Sequence, residues 1–409
     1  MQAEAMERTA KHQVGSAQQA LQPGKRTLVV LALAAVVMGL GQTTLFTFLP
    51  LLMHHTGLDL AHITLAFAVG SGLFLLGSPL WAMLSDKLGR RSVVAIALLG
   101  FGLSHAMLLW QMQQGEHWAG QADTLLAGRI LYGLTVSGLI PTCQAWLADL
   151  SAAEHRLAAL SRLSAGLTLG RLLGPALAAA SLWLNPLGPL WLVALAAWPA
   201  LLLLPMARPP SGKASTTVSN ALNWRPVLAW LGFAWAMQMA LGQVQYTLGP
   251  WLTQRFVLDA AAASAQLGWM LTGSAVVVML LQLWVVPRCK PGRPLLLAGG
   301  AALCLAGLLL ALANHLAMAW LGLAVMGMAA ALLVPTYTTL ASLAAGQAGQ
   351  SRVAGAIAAT HTVGFSLAAG LAGALFGLWS TAPFLLASLL GGAMVLGGLL
   401  ISPPRLTPG

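Results

Sequence analysis

Three features of the sequence predict an all-α protein that spans a membrane twelve times. Hydrophobic residues make up 58% of the 409 positions and charged residues only 7%, whereas a soluble globular chain is roughly half apolar and about a quarter charged. The apolar residues form runs of about 20 positions, the length that a helix needs to cross a bilayer. Because hydrocarbon offers the backbone no partners, such runs form helices rather than barrel strands of about ten residues.

Twelve such runs follow one another along the chain, and each defines one span. Their expected starts lie near Thr27, Asp59, Ser92, Asp123, Arg156, Leu187, Arg225, Ala262, Arg293, Leu316, Ser351 and Ala382. The run from Thr27 is about twice as long as the apolar region of a signal peptide, so we expect it to be retained.

Basic residues are concentrated in alternate connections between the runs. One side carries Lys25, Arg26, Lys87, Arg90, Arg91, Arg156, Arg208, Lys213, Arg225, Arg288, Lys290, Arg293, Arg352 and Arg405. The other side carries Asp59, Glu116, Asp123 and Asp259 with one cation, Arg255. The positive-inside rule then predicts an inner-membrane protein with both termini in the cytoplasm. The net charge of +11 reflects this topology, and we expect no nucleic-acid partner.

The second half of the chain repeats the first at an offset of about 200 residues. Gly41-Gln42, Pro50 and Leu58-Asp59 recur as Gly242-Gln243, Pro250 and Leu258-Asp259, and Gly133 with Pro141-Thr142 recurs as Gly327 with Pro335-Thr336. Repeats of this kind predict two six-helix bundles related by an axis along the membrane normal. Pro141 and Pro335 are expected to kink the fourth and tenth spans.

The repeat and the composition together predict five segments. They are a cytoplasmic tail at 1–26, a first bundle at 27–207, a linker at 208–224, a second bundle at 225–402 and a cytoplasmic tail at 403–409.

The most informative short motif is Ser85-Asp86-Lys87-Leu88-Gly89-Arg90-Arg91, between the second and third spans. It resembles the signature loop of the major facilitator superfamily of transporters. Asp86, Lys87, Gly89 and Arg91 match the family pattern, Arg90 fills its variable place, and Ala82 replaces its leading glycine. The second copy, Pro287 to Arg293, keeps the positive charge without the aspartate.

The resemblance implies a gate built from Asp86, Lys87, Gly89, Arg90, Arg91 and Asp149. In the family, the loop aspartate caps a helix of the other bundle, which here is the start of the eleventh span near Ser351 to Gly355. Asp149 ends the fourth span and is expected to pair with Arg90. The alternative is a solvated turn without a gating role.

The fifth span carries Gly166, Gly170 and Gly174 at intervals of four, followed by Pro175. With Ala178 and Ala179 this resembles the fifth-helix signature of drug and metabolite proton antiporters in the same superfamily, which has glycines at the two alanine positions. Physically, the glycines allow close helix approach and the proline removes a helix hydrogen bond. A packing motif without any link to antiport is the alternative.

Two arginines are placed inside spans. Arg171 lies about 22 Å along the fifth span, near the middle of the bilayer. Arg129, four residues before Gly133, resembles the fourth-helix signature that the family ties to proton coupling. The aspartates all fall at span ends, so two buried arginines without a buried acid favour an anionic or acceptor-rich substrate. Alternatively, each arginine binds backbone carbonyl groups.

Further polar residues inside spans complete the predicted site. Gln42 and Gln243 occupy equivalent positions in the first and seventh spans and are expected to bind the substrate. Hydrogen bonds and aromatic surface are expected from Tyr132, Gln238, Tyr246 and Tyr337. The alternative for the buried amides is that they bridge helices, which is common in membrane proteins. Asp123, His361 and Arg129 are the candidates for proton coupling, with His105 less favoured because a lone buried histidine is often only packed.

The sequence contains no nucleotide-binding loop, metal-ligand cluster or catalytic triad, so we expect no enzyme activity, cofactor or metal. We expect a monomeric secondary transporter in contact with membrane lipid. It would export a drug, metabolite or siderophore by alternating access, coupled to protons. The alternatives are a proton-coupled uptake permease for a small organic anion and a transport-inactive membrane sensor or scaffold.

Overall fold

The computed structural model describes residues 23–115, 118–209, 224–346 and 349–401, and every regular element in these ranges is helical. The first bundle contains α1 (Lys25–Thr56), α2 (Leu60–Leu88), α3 (Arg90–Gln111), α4a (Gln121–Val136), α4b (Leu139–Leu150), α5 (Ala153–Leu182) and α6 (Gly188–Leu203). The second contains α7 (Arg225–Phe256), α8 (Ala260–Leu280), α9 (Arg293–Ala311), α10 (Leu316–Ala345), α11 (Gln350–Leu378) and α12 (Ala382–Leu400).

Twelve spans within the described ranges are long and apolar enough to cross a membrane. The predicted all-α membrane fold is therefore confirmed, and each helix begins within three residues of its expected start. The predicted tails and linker lie largely outside the described residues, as do Glu116, Lys213 and Arg405.

The two matched prolines affect their helices differently. The fourth span is interrupted between α4a and α4b, just before Pro141, whereas α10 continues through Pro335. Proline cannot donate to the carbonyl four residues earlier, which is Ser137 in the fourth span, where Ser137-Gly138 also has low helix propensity. Pro335 follows Ala-Leu-Leu-Val, a segment without the serine and glycine that weaken the fourth span, and the helix is continuous there. The kink expected at Pro141 coincides with this interruption, and the kink expected at Pro335 stays a prediction.

The helices pack in the same pattern in both bundles. In the first, α1 packs on α5, α2 and α3 on α4a, and α3 on α6. In the second, α7 packs on α11, α8 and α9 on α10, and α9 on α12. Between the bundles, the main contacts are α2 with α11 and α5 with α8. Each contact therefore has a counterpart six spans away, which is the arrangement that the sequence repeat predicts.

The repeated aspartates begin equivalent helices. Asp59 Oδ1 accepts a hydrogen bond from the backbone N–H of His62 at 2.8 Å, and Asp259 Oδ1 accepts one from Ala262 at 2.7 Å. Each side chain satisfies one of the backbone donors that a helix start leaves unpaired. The hydrogen bond from His62 holds the pKa of the Asp59 carboxyl below its usual range. These aspartates recur because both bundles need the same helix cap.

The residues that end α1 and α7 share an unusual backbone conformation. Gly57 after α1 has φ of 66°, and Val257 after α7 has φ of 53°. Left-handed backbone costs a residue with a Cβ about 1 to 2 kcal/mol, and a β-branched residue is especially unfavourable there.

We expect Val257→Gly to stabilise the purified protein by about 1 kcal/mol, measured as a higher midpoint of thermal unfolding in detergent. Gly57→Val should lower that midpoint, and a lower midpoint for Val257→Gly would contradict the expectation.

The bundles meet most closely at one end of the molecule, which we call the capped end because it carries Asp59 and Asp259. There α7 packs on α1 at Gly249 and Pro50, α8 packs on α5 at Gly268 and Pro175, and the α11 backbone at Gly373 contacts α2 at Ala61. These glycines lie so close to their neighbours that an added Cβ would overlap them.

The opposite end, which we call the charged-loop end, carries Ser85–Arg91. Some positions on the helices that join the bundles at the capped end are exposed here. Met83 of α2 is 60% exposed, Leu283 just after α8 is 61% exposed, and the space beside Gly355 of α11 is empty. The close contacts between the bundles that the tightly packed glycines mark therefore lie toward the capped end.

Candidate functional site

A central cavity of about 340 Å³ lies between the bundles. Its walls come from α1, α2, α4a and α5 of the first bundle and from α7 and α11 of the second. The residues predicted for the site that line it are Gln42, Arg129, Tyr132, Arg171, Gln238, Tyr246 and His361. The volume falls within the range of small-molecule sites.

Arg171 faces the cavity from α5, where its Nε donates a hydrogen bond of 2.9 Å to Gln42 Oε1 on α1. The two helices are very close at this point, because a Cβ on Gly39 of α1 would lie 2.9 Å from the Arg171 backbone nitrogen. The neighbouring Gly170 allows the same approach from the side of α5. The glycine stripe thus brings Arg171 and Gln42 together, and the hydrogen bond orients the guanidinium.

Arg129 is buried in α4a, with 3% of its surface exposed. Its guanidinium carbon lies 5.0 Å from the ring centres of both Phe67 and Tyr132, distances typical of cation–π contacts. Its Nε and Nη2 atoms have no hydrogen-bond partner among the described residues. Aromatic rings therefore cover this cation, while two of its donor atoms remain unsatisfied.

His361 reaches the cavity from α11, and its Nε2 lies 2.7 Å from the hydroxyl oxygen of Tyr337 on α10. Tyr337 is fully buried and does not line the cavity, although the sequence suggested that it does. Its role in the structure is to hold the histidine ring from behind. His105, the less favoured candidate, is buried against Phe101 and Tyr132 and hydrogen-bonds the carbonyl oxygen of Phe101 at 2.7 Å.

Gln243 and Asp123 lie away from the cavity lining. Gln243 is fully buried and donates through Nε2 to the carbonyl oxygen of Ala368 at 3.2 Å, so it bridges α7 to α11. Asp123 is exposed in the first turn of α4a, at the capped end. Gln243 therefore takes the helix-bridging alternative, while its repeat partner Gln42 faces the cavity.

Several cavity residues were not predicted from the sequence, chiefly Gln245, Ser71 and the three phenylalanine rings that surround the predicted Tyr246. The rings of Phe46 and Tyr246 are 5.1 Å apart, those of Tyr246 and Phe365 are 5.4 Å apart, and Phe67 lies 5.9 Å from Tyr246. We call Phe46, Phe67, Tyr246 and Phe365 the aromatic cluster. It joins α1 and α2 of the first bundle to α7 and α11 of the second, so an aromatic residue in each of these spans was the available signal.

The charged loop is organised by Arg90, which is 8% exposed. Its Nε donates to Asp149 Oδ2 at 3.0 Å, its Nη2 pairs with Asp86 Oδ1 at 2.8 Å, and its Nη1 donates to Ser85 Oγ. The expected pair with Asp149 is therefore present. Asp86, which we expected to face the start of α11, pairs with Arg90 in this structure.

The other loop residues have structural roles within the first bundle. Gly89 joins α2 to α3 with φ of 85°, a conformation that favours glycine. Arg91 donates through Nη2 to the carbonyl oxygens of Pro205 and Ala207, at the end of the sixth span. Arg293 does the same for α12, donating to Leu399 at 2.7 Å. Lys87 is exposed, and the gating role of Lys87, Gly89 and Arg91 stays a prediction.

The glycine stripe of α5 lies against α1. A Cβ on Gly166 would lie 2.6 Å from the carbonyl oxygen of Ala32, and one on Gly174 would lie 3.0 Å from that of Leu40. Further along, the Pro175 carbonyl oxygen and Ala179 contact Gly268 of α8. One face of α5 thus packs within the first bundle, and its last turns also contact the second bundle.

Twelve membrane-length helices around a polar cavity shared by two bundles define a multi-pass membrane transport protein rather than an enzyme. Within the described ranges, no cluster of His, Cys, Asp or Glu is placed to hold a metal ion. The chain belongs to the Major Facilitator Superfamily, whose profile matches residues 31–369.

Comparison with known proteins identifies relatives within that family. The chain is 28% identical over 165 residues to a protein named "Probable triacylglyceride transporter" of Mycobacterium leprae, covering 39% of this chain and 31% of that protein. It is 26% identical over 156 residues to the Bacillibactin exporter of Bacillus subtilis, covering 38% of each chain. The matched segments therefore span about a third of these relatives.

The solved structure of a D-xylose-proton symporter has the same fold, with a TM-score of 0.74 at 16% identity. The similarity covers 92% of this chain and 98% of that chain.

Proposed function

We propose that the protein exports a small organic molecule from the cytoplasm by alternating access, as a monomer in the inner membrane. The observation that carries this proposal is a cavity lined by both bundles, with close contacts between the bundles at the capped end. The positive-inside rule assigns the charged-loop end to the cytoplasm. In this proposal the cavity opens toward that end, so that an exported substrate enters it from the cytoplasm.

The aromatic cluster provides the closed gate of this conformation. Phe46, Phe67 and Tyr246 are each less than 9% exposed, and the cluster lies toward the capped end of α1, α2 and α7. Separation of these rings would open the cavity to the outside as the bundles rock about the substrate. The bundle boundaries at 27–207 and 225–402 define the two moving units in this proposal.

Closure of the other side would bring α2 toward α11 at the charged-loop end. Asp86 is 57% exposed, and the space beside Gly355 of α11 is empty in the present conformation. A carboxylate carried to the start of α11 would meet unpaired N–H groups and the positive end of the helix dipole. Asp86 would then stabilise the outward-facing state by exchanging its contact with Arg90 for one with α11.

Export as the direction is supported by the relative named Bacillibactin exporter. A drug, metabolite or siderophore remains the proposed cargo.

The test compares the small-molecule content of cells and medium between cells that lack the protein and cells that overproduce it. We expect a compound to accumulate inside the cells that lack the protein, and its depletion there would indicate an uptake permease instead. Equal content in both strains would indicate a sensor or scaffold.

Protons are the proposed counter-ion, with His361 as the proton-carrying group in the cavity. It is the one histidine of the lining, and its contact with Tyr337 supplies a hydroxyl that can take part in proton exchange. We expect collapse of the proton gradient to abolish the outward gradient of the compound, and His361→Gln to remove the dependence of transport on external pH. A compound gradient that survives uncoupling would contradict proton coupling.

A further inference from the structure

The cavity lining is cationic. Its described residues include Arg129, Arg171 and His361 and no carboxylate. The aspartates of the chain lie at helix ends: Asp59, Asp123 and Asp259 at the capped end, and Asp86 and Asp149 at the charged-loop end. Glu154 stands in the first turn of α5, and the other glutamates lie outside the described residues. The two arginines therefore face the cavity without a counter-ion in its lining.

A charge at this depth is costly unless it faces water, a counter-ion or a ligand. Among the described residues, Arg171 makes one side-chain hydrogen bond, to Gln42, which uses one of the five N–H donors of its guanidinium. The rings of Phe67 and Tyr132 contact the Arg129 guanidinium, whose Nε and Nη2 have no partner in the part of the chain that the structure describes. Both groups thus hold donors ready for an acceptor that the protein itself does not provide.

Tyr132 is close to both cations. Its ring contacts Arg129, it lines the same cavity as Arg171 and interacts with it electrostatically, and its hydroxyl lies 3.7 Å from Met38 Sδ, a weak acceptor. A planar oxyanion accepts bidentate hydrogen bonds from guanidinium groups in a fixed geometry. The lining also offers aromatic rings, including Phe67, Phe74 and Phe365, together with polar side chains such as Gln238, Gln245 and Ser71.

We propose that the cavity selects organic anions, binding a carboxylate or similar oxyanion between Arg129 and Arg171 and an aromatic or apolar body against the rings of Phe67, Tyr246 and Phe365. This rests on the proposed transport function and names its substrate class. Gln42 holds Arg171 in place for the anion, and Phe67 with Tyr132 holds Arg129.

The test measures binding to the detergent-purified full chain by isothermal titration calorimetry, with three probes that share one ring system. They are 1-naphthoate, its neutral amide 1-naphthamide, and the cation 1-naphthylmethylammonium. We expect naphthoate to bind about tenfold or more tightly than either of the others, because only its charge satisfies the two guanidinium groups. Equal or tighter binding of the amide or the amine, or no binding of naphthoate, would overturn the proposal.

Arg171→Gln should weaken naphthoate binding by about tenfold or more while changing naphthamide binding by less than about threefold. Arg255→Gln is the matched control, because Arg255 caps the carbonyl oxygen of Ala313 at the capped end, away from the cavity. Arg129→Lys keeps the charge but not the planar donor edge, so it should also weaken naphthoate selectively. An Arg171→Gln protein that folds with the wild-type melting temperature and keeps the preference for naphthoate would overturn the assignment.

Transport in inside-out membrane vesicles separates this proposal from the proposed function. Uptake of the amine but not of naphthoate would leave the exporter and refute the anion class. Selective binding of naphthoate with no flux of any probe would leave the anion site and refute export. Uptake of naphthoate that Arg171→Gln removes and Arg255→Gln spares would support both.

Discussion

Replacement of Gly170 by alanine should prevent the first bundle from assembling correctly. An added Cβ would overlap the carbonyl oxygen of Val36 and lie 2.8 Å from the Leu40 nitrogen, both backbone atoms of α1. Backbone atoms cannot rotate away as a side chain can, so the helices must separate, which also breaks the adjacent contact of Arg171 with Gln42. We expect a loss of at least about 2 kcal/mol. The measurements are the yield of monodisperse protein and its melting temperature in detergent.

Gly392→Ala is the matched control, because nothing lies within 4 Å of the Cβ position at Gly392 in α12. Alanine has the higher helix propensity, so this variant should be as stable as the wild type or slightly more stable. If Gly170→Ala kept the wild-type yield and melting temperature, the close packing of α5 on α1 would be refuted.

Replacement of Asp149 by asparagine should have the second largest effect on stability. Asp149 is 12% exposed and Arg90 8% exposed, and the pair is made at 3.0 Å. Removing one partner of a buried pair typically costs about 3 to 5 kcal/mol, because the other charge is left uncompensated. Arg90 keeps its contacts with Asp86 and Ser85, so we expect about 2 to 3 kcal/mol here, measured by thermal unfolding in detergent.

Asp86→Asn separates the stability of the loop from its proposed gating role. The Asp86 side chain is exposed, and exposed ion pairs contribute at most about 1 kcal/mol. We expect Asp86→Asn to unfold near the wild-type temperature yet to change the transport rate and the exposure of the cavity to cytoplasmic reagents. An Asp149→Asn protein as stable as Asp86→Asn would contradict the buried pair. Unchanged transport in Asp86→Asn would refute the latch.

The sequence predicted the number of spans, their starts and the internal repeat because these depend on local properties. Hydropathy over about 20 residues defines a span whatever it packs against. Repeated Asp59 and Asp259 mark the same helix start because a cap acts within its own first turn. The placement of Arg171, Arg129 and Gln42 in the cavity was also accessible, because charged and amide groups deep in a span rarely face lipid.

The assignments that differ between sequence and structure depend on which way a helix is rotated. Gln243 and Gln245 are two residues apart, about 200° around the helix, so Gln243 bonds α11 while Gln245 faces the cavity. Adjacent Arg90 and Arg91 likewise point to different partners, Asp149 and the end of the sixth span. The pattern of hydrophobic residues in the sequence does not determine how a helix is rotated about its axis when the hydrophobicity is nearly uniform around the helix.

By itself, the sequence determined that this chain is a twelve-span, twice-repeated membrane protein with cations but no acids deep in its spans, because burial in lipid constrains composition residue by residue. Only the tertiary structure decided which polar groups share the cavity, that Asp86 pairs with Arg90, and that four aromatic rings join the bundles. Those features depend on contacts between residues as far apart as Phe46 and Phe365, which form only when twelve helices have chosen their neighbours and their rotation.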